Sequence, residues 1–229
     1  MIEVLNLTKI YGKKENQFKA LEKIDLKIPD NSIVSIIGKS GSGKSTLMHI
    51  MSGLDRPSSG SVHINGTDIF EMKEKKIDAF RASEMSFVFQ SFFVEANATC
   101  YQNVVLPLEI AKVSRNKRKR LATEALEAVG LAEKINSKAS TLSGGQKQRL
   151  AVARAIVNKP KILFADEPTG NLDSVTGDKI MKLLFDLNKK LGCTIILVTH
   201  DEDLTKHTQM RITLKDGKIE SIHESGIKS

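Results

Sequence analysis

Gly38-Lys39-Ser40-Gly41-Ser42-Gly43-Lys44-Ser45 follows an apolar run at 32–37 and opens a stretch with helical spacing. It matches G-x-x-x-x-G-K-[ST] in the strand-then-helix context that gives the pattern its meaning. Glycines let the backbone wrap a chain of phosphates without Cβ clashes. Exposed N–H groups and the helix N-terminus supply positive potential. Lys44 can reach β- and γ-phosphates, the Ser45 hydroxyl can ligate Mg²⁺, and Thr46 extends the polar helix start.

Outward from this loop, strands and helices alternate, which predicts an α/β core with a mainly parallel sheet covered on both faces. Residues 2–7 and about 20–28 alternate apolar with charged residues and predict strands. PSSG at 57–60 predicts a turn, and 61–64 a strand followed by an Asn65-Gly66 turn. Residues 73–82 predict a helix and 85–89 a strand that stops at Gln90. From about 91 to 145 strand signals vanish and helical patterns (100–112, 115–129) take over, the mark of a helical subdomain inserted into the core. A helix at about 146–158, a buried strand at 162–166, a helix at 174–191, a buried strand at 194–199, a short helix and a hairpin about Asp216-Gly217 complete the chain. With no internal repeat or low-complexity linker, residues 1–229 read as one domain.

The 229 residues carry 35 Lys and Arg against 27 Asp and Glu, a net charge of +8. An apolar share of 40% and a charged share of 27% exclude a disordered or fibrous chain. No apolar run reaches the roughly 18–20 residues of a membrane span, and the N-terminus lacks a signal peptide's apolar stretch. Two cysteines, Cys100 and Cys193, cannot build a disulfide framework and suit a reducing compartment. Each is expected to pack in a core. The densest basic run, Arg115 to Arg120, opens a helix with Leu121, Ala125, Leu126 and Val129 near one face. A solvated cationic face is its plain reading; attraction to anionic lipid, an acidic partner or nucleic acid stands behind it.

Two further clusters carry chemistry. The apolar strand 162–165 runs into Asp166-Glu167, placing two carboxylates at the end of a strand where α/β proteins bind ligands. Asp166 suits the Mg²⁺ shell. Glu167, pointing elsewhere by strand alternation, suits a general base for an attacking water. Leu142-Ser143-Gly144-Gly145-Gln146 precedes a helix and forms a second glycine-rich helix N-terminus, hence a second anion site. Two anion sites with one lysine-bearing loop make sense if the second completes the loop of another subunit.

Taken in order, these motifs resemble the ATP-binding-cassette family, the nucleotide-binding subunits of ABC transporters, over essentially the whole chain. The resemblance implies a P-loop NTPase (RecA-like) core, an N-terminal antiparallel β subdomain and an inserted α-helical subdomain. It implies that Tyr11 stacks on adenine and that Gly38, Ser40, Gly41, Ser42, Gly43, Lys44, Ser45 and Thr46 surround the phosphates. Gln90 is similar to the glutamine that senses Mg²⁺ and water. Ser143, Gly144, Gly145 and Gln146 resemble the signature that contacts a second copy's ATP. Leu172-Asp173 resembles the D-loop, and His200 the histidine at the γ-phosphate. Glu167, His200 and Lys44 are then the catalytic set, Ser45, Gln90 and Asp166 the metal set, and ATP with Mg²⁺ the cofactors.

DEPTGNLD at 166–173, FVFQ at 87–90 and NVVLPL at 103–108 resemble the subgroup of macrolide exporters, lipoprotein-releasing ATPases and antimicrobial-peptide resistance transporters. That implies a homodimer driving integral membrane subunits from the cytoplasmic face, for export or mechanical work on a peptide, lipoprotein or hydrophobic compound. An importer ATPase and a soluble ATPase acting on nucleic acid or the ribosome are the alternatives, and no nucleic-acid partner is expected. Residues 91–102, 134–141 and 207–214 depart from the subgroup's usual pattern; the first lies where a membrane subunit is expected to touch.

Overall fold

A computed structural model describes residues 1–225. The elements are β1 (Ile2–Tyr11), β2 (Phe18–Ile28), β3 (Ile33–Ile37), α1 (Lys44–Met51), β4 (Ser59–Ile64), β5 (Thr67–Asp68), α2 (Glu74–Glu84), β6 (Met85–Phe89), α3 (Cys100–Ile110), α4 (Arg115–Ala128), α5 (Gly144–Ile156), β7 (Ile162–Asp166), α6 (Ser174–Leu191), β8 (Thr194–Val198), β9 (Met210–Lys215) and β10 (Lys218–Glu224). They fall into two compact units, one of residues 1–81 and 194 onward, the other of residues 82–193.

The first unit holds an antiparallel sheet of order β2-β1-β4-β5. Its strands bury Ile2, Val4 and Leu7 of β1 and Leu21, Ile24, Leu26 and Ile28 of β2. β1 runs on to Tyr11, past the predicted end at 7, because a register shift after Val4 and Leu5, with Asn6 at φ 45°, realigns the strand. The same shift pairs Thr8 with Ser59, so the end of the predicted 57–60 turn is the start of β4. β3 lies between β8 and β9, parallel to both, and β10 closes the far edge antiparallel to β9. All residues of β3 and β8 are buried, the pattern of parallel strands covered on both faces. Ser35, the polar residue of β3, bonds Thr208 at 3.0 Å. Both predicted two-residue turns form with positive φ at each central residue, Asn65-Gly66 and Asp216-Gly217. α1 buries Leu47, Met48, Ile50 and Met51.

In the second unit β6 and β7 pair in parallel, Met85 opposite Ile162 and Phe89 opposite Asp166. Phe164 is fully buried and stacks on Phe87 at 5.5 Å. α3, α4 and α5 pack on one another. Thr99 and Gln102 close a reciprocal capping box at the start of α3, which ends at Ile110 rather than 112. α4 buries Ala125 and Leu126, and Val129 just past its end is buried too, so three of the four residues expected on the apolar face are in the core; Leu121 is half-buried and Ala122 beside it is buried. Its basic start is solvated, with Arg118 paired to Glu109 and Arg120 to Glu124. Exposed pairs of this kind contribute little stability. α6 begins at its Asp173 cap and stops at Gly192, φ 63°. Cys100 and Cys193 are buried, and burial pushes both thiols upward.

Candidate functional site

In the first unit the loop from β3 to α1 ends at Gly43, which caps α1 with φ 100°; a Cβ there would stand 2.6 Å from the Ala20 carbonyl oxygen. Glycine is required on both counts. The Lys44 Nζ donates to the carbonyls of Gly38 (2.7 Å) and Lys39 (3.0 Å), folding the ammonium back over its own loop. The Ser42 hydroxyl is buried with no hydrogen-bond partner among the described residues. Such a group belongs beside a ligand or an ordered water. A cleft of about 620 Å³ opens over Gly38, Lys39, Ser40, Gly41 and Ser42, and His200 lines it too.

Tyr11 is held from three sides. Its hydroxyl donates to Asp55 Oδ2 at 2.5 Å and meets the Thr46 side chain. The Lys9 ammonium lies 4.7 Å from its ring centroid and pairs with Asp55 Oδ1 at 2.7 Å. Phe18 packs against the ring at 5.5 Å. Burial and the Asp55 carboxylate push the Tyr11 phenol up, with Thr46 opposing. At Asp55 burial acts upward, but hydrogen bonds from Lys9 and Tyr11 outweigh it and hold the carboxyl below its ordinary value. Thr46, expected at the phosphates, thus also supports the aromatic. Lys9 and Asp55 carried no sequence signal: they lie 46 residues apart and match no spacing rule.

In the second unit the parallel pairing of β6 and β7 brings Gln90, Asp166 and Glu167 to one sheet end. Glu167 has φ 47°, a left-handed conformation that non-glycine residues avoid and that clusters at functional sites. It starts a tight turn in which the Gly170 N–H donates to the Glu167 carbonyl at 3.0 Å. The fully buried Gln148 of α5 ties the two strand ends, its Nε2 donating to the Pro168 carbonyl at 2.5 Å and the Phe89 carbonyl at 3.4 Å.

The second glycine cluster forms the start of α5. Ser143 accepts from the Gln146 N–H and Gln146 reaches back to the Ser143 N–H, a capping box that begins the helix at Gly144 rather than near 146. Gly144 lies 3.6 Å from Leu172, measured from an added Cβ, and a Cβ on Gly145 would strike Thr176 Cγ2 at 2.4 Å. So α5 and α6 start side by side. A cleft of about 640 Å³ there is lined by Ser143, Gly145, Gln146, Arg149, Asp173 and Lys179. Arg149, Lys179 and two helix N-termini, set against the one carboxylate of Asp173, make it attractive to anions.

The sequence profile described as ABC transporter matches residues 21–170, more than half of the chain. The chain belongs to the ABC transporter family. It is 46% identical, over 97% of its length and 99% of the relative's, to the uncharacterized ABC transporter ATP-binding protein MJ1508 of Methanocaldococcus jannaschii. It is 42% identical to the lipoprotein-releasing system ATP-binding protein LolD of Geobacter metallireducens, over 96% of this chain and 97% of that one. Among solved structures it resembles the dimeric post-hydrolysis state of the ATP-binding cassette MJ0796 bound to ADP and Pi, with TM-score 0.88, 39% identity and 98% of each chain covered. The fold is that of the P-loop NTPases of this family, and the chain is an ABC transporter ATPase subunit that binds and hydrolyses ATP. Among the described residues no helix is long and apolar enough to cross a membrane.

Proposed function

We propose that residues 1–229 act as one ATP-binding domain and that two copies pair head to tail around two Mg-ATP. In this reading each nucleotide meets one copy's Gly38–Thr46 loop and the other copy's Ser143–Gln146 helix start. The observation that carries it is the pair of clefts in one chain, one with a lysine loop and one made of helix starts without one. The dimeric state named for MJ0796 supports the same reading.

Tyr11 takes the adenine face, and Lys44 and the loop N–H groups hold the β- and γ-phosphates. The donors Ser45, Gln90 and Asp166 are a hydroxyl, an amide oxygen and a carboxylate, which suits a hard cation. Mg²⁺ when bound neutralises charge on the phosphate oxygens. Glu167 takes a proton from the attacking water as the water oxygen bonds to the γ-phosphorus; the bond from that phosphorus to the bridging oxygen breaks with its electron pair staying on ADP, and ADP and phosphate leave. His200 contacts the γ-phosphate and the water. Closure by ATP and opening after hydrolysis follow from contacts made only in the paired state.

We further propose that this cycle drives integral membrane subunits from the cytoplasmic face, for release or export of a lipoprotein, peptide or hydrophobic compound; the resemblance to LolD supports this. Co-purification from mildly solubilised native membranes tests it. A stoichiometric four-span partner with a large extracytoplasmic domain is expected. A partner with more spans and a separate solute-binding protein, or ribosomes without a membrane protein, would overturn it.

A further inference from the structure

Gln90 and Asn171 lie 81 residues apart and grip each other twice. Gln90 Nε2 donates to Asn171 Oδ1 at 3.3 Å, and Asn171 Nδ2 donates to the Gln90 backbone carbonyl at 3.0 Å. The two bonds fix each other's sense. With its NH₂ turned to a backbone carbonyl, Asn171 can offer only its oxygen to the Gln90 side chain, so the Gln90 amide must present nitrogen to Asn171. Among the described residues no hydrogen bond engages Gln90 Oε1, the atom of this side chain able to ligate a hard cation.

The neighbouring backbone is shaped to the same end. A Cβ on Gly170 would stand 2.7 Å from Gln90 Nε2 and 3.0 Å from its Cδ, so glycine is needed for the amide to lie against this turn. The turn is itself braced, Gly170 N–H to the Glu167 carbonyl and Leu172 N–H to the Thr169 carbonyl, each at 3.0 Å. Asn171 also lines the cleft at the starts of α5 and α6, beside Leu172 and Asp173.

We infer that Asn171 is a positioning residue that orients the Gln90 carboxamide with its oxygen toward the metal, and so links the metal-sensing glutamine to the cleft at the signature helix. This rests on the reading of Gln90 as a Mg²⁺ ligand. Partners that orient a metal ligand in this way typically change metal affinity about 10–100-fold when removed. Gln90 is one donor among several, so the lower end is expected.

The test uses the full chain carrying Glu167→Gln, so that ATP is bound without turnover. The readout is the Mg²⁺ concentration that half-saturates ATP-induced dimer formation, followed by light scattering at saturating ATP. Gln90→Ala and Asn171→Ala should each raise it about tenfold, and the double variant should raise it no further. Gly170→Ala, which leaves Asn171 in place, should raise it too, by displacing the amide. Melting of each variant without nucleotide controls for folding; both side chains are exposed, and a loss of structure alone would not make the two substitutions non-additive. If Gln90→Ala shifts the Mg²⁺ requirement while Asn171→Ala does not, or the two add, the positioning role is overturned and the metal reading stands. If Gln90→Ala itself leaves the requirement unchanged, both are overturned.

Discussion

Gly145→Ala isolates one steric contact on which the signature cleft depends. An added Cβ would stand 2.4 Å from Thr176 Cγ2, whereas Thr176 Cβ and Oγ1 remain at 3.8 and 4.0 Å. One methyl is therefore in the way. Two effects oppose each other in the single variant. Alanine in place of glycine inside a helix gains up to about 1 kcal/mol. Overpacking a tight contact costs about 1–3 kcal/mol. Thr176→Ser removes the offending methyl and keeps the hydroxyl, so a double-mutant cycle separates the clash from the propensity gain. The interaction energy should favour the double variant by about 1–3 kcal/mol. For a chain of this size, about 1 kcal/mol corresponds to about 2–4 °C in melting temperature. The double variant should then melt about 2–12 °C above the sum of the single effects. Calorimetry on the four proteins measures it. Strictly additive melting temperatures would refute the close approach of α5 and α6 from which this is drawn.

Lys44→Ala removes the ammonium now held at 2.7 Å by the Gly38 carbonyl and should lower ATP turnover at least a hundredfold, measured by phosphate release. Asp55→Ala frees Tyr11 from its anchor; fluorescent-ATP titration should show nucleotide affinity falling severalfold with turnover at saturating ATP nearly unchanged. Because the Asp55 carboxyl is held below its ordinary value, its pairing contributes fully above about pH 4 and is lost as pH falls through the lowered folded value. Melting curves of Asp55→Asn should therefore lose part of the wild type's acid-side decline. Cys100 and Cys193, buried and with thiols pushed up, should resist an aromatic disulfide reagent until the protein is unfolded in denaturant.

The parts of the fold that were legible in the sequence had local signals. α6 matched its predicted span because Asp173 caps its start and Gly192 ends it. β6 stopped at Phe89, just before Gln90, as its apolar run did. The glycines at 144 and 145 hid the true start of α5, because the Ser143–Gln146 box outweighs their weak helix preference. The bulge near Asn6, which lengthens β1 and starts β4 early, depends on pairing between distant segments and left no periodic trace. The loop at 38–45 and the acids at 166 and 167 were readable as motifs. The residues that brace their neighbours were not. Lys9 with Asp55, Asn171 with Gln90 and Gln148 with Pro168 are joined by tertiary packing, and no window of sequence contains either of the first two pairs.

In the proposed cycle two chains close around ATP, and hydrolysis assisted by Glu167 lets them open again. Glu167→Gln, followed by light scattering in parallel with phosphate release, separates the closing step from the opening step. Turnover should fall at least tenfold below wild type, with a stable dimer on Mg-ATP that ADP does not support. Lys44→Ala should stay monomeric with either nucleotide and sets the contamination background. Wild-type turnover in Glu167→Gln above that background, or a monomer at saturating Mg-ATP, would contradict the cycle.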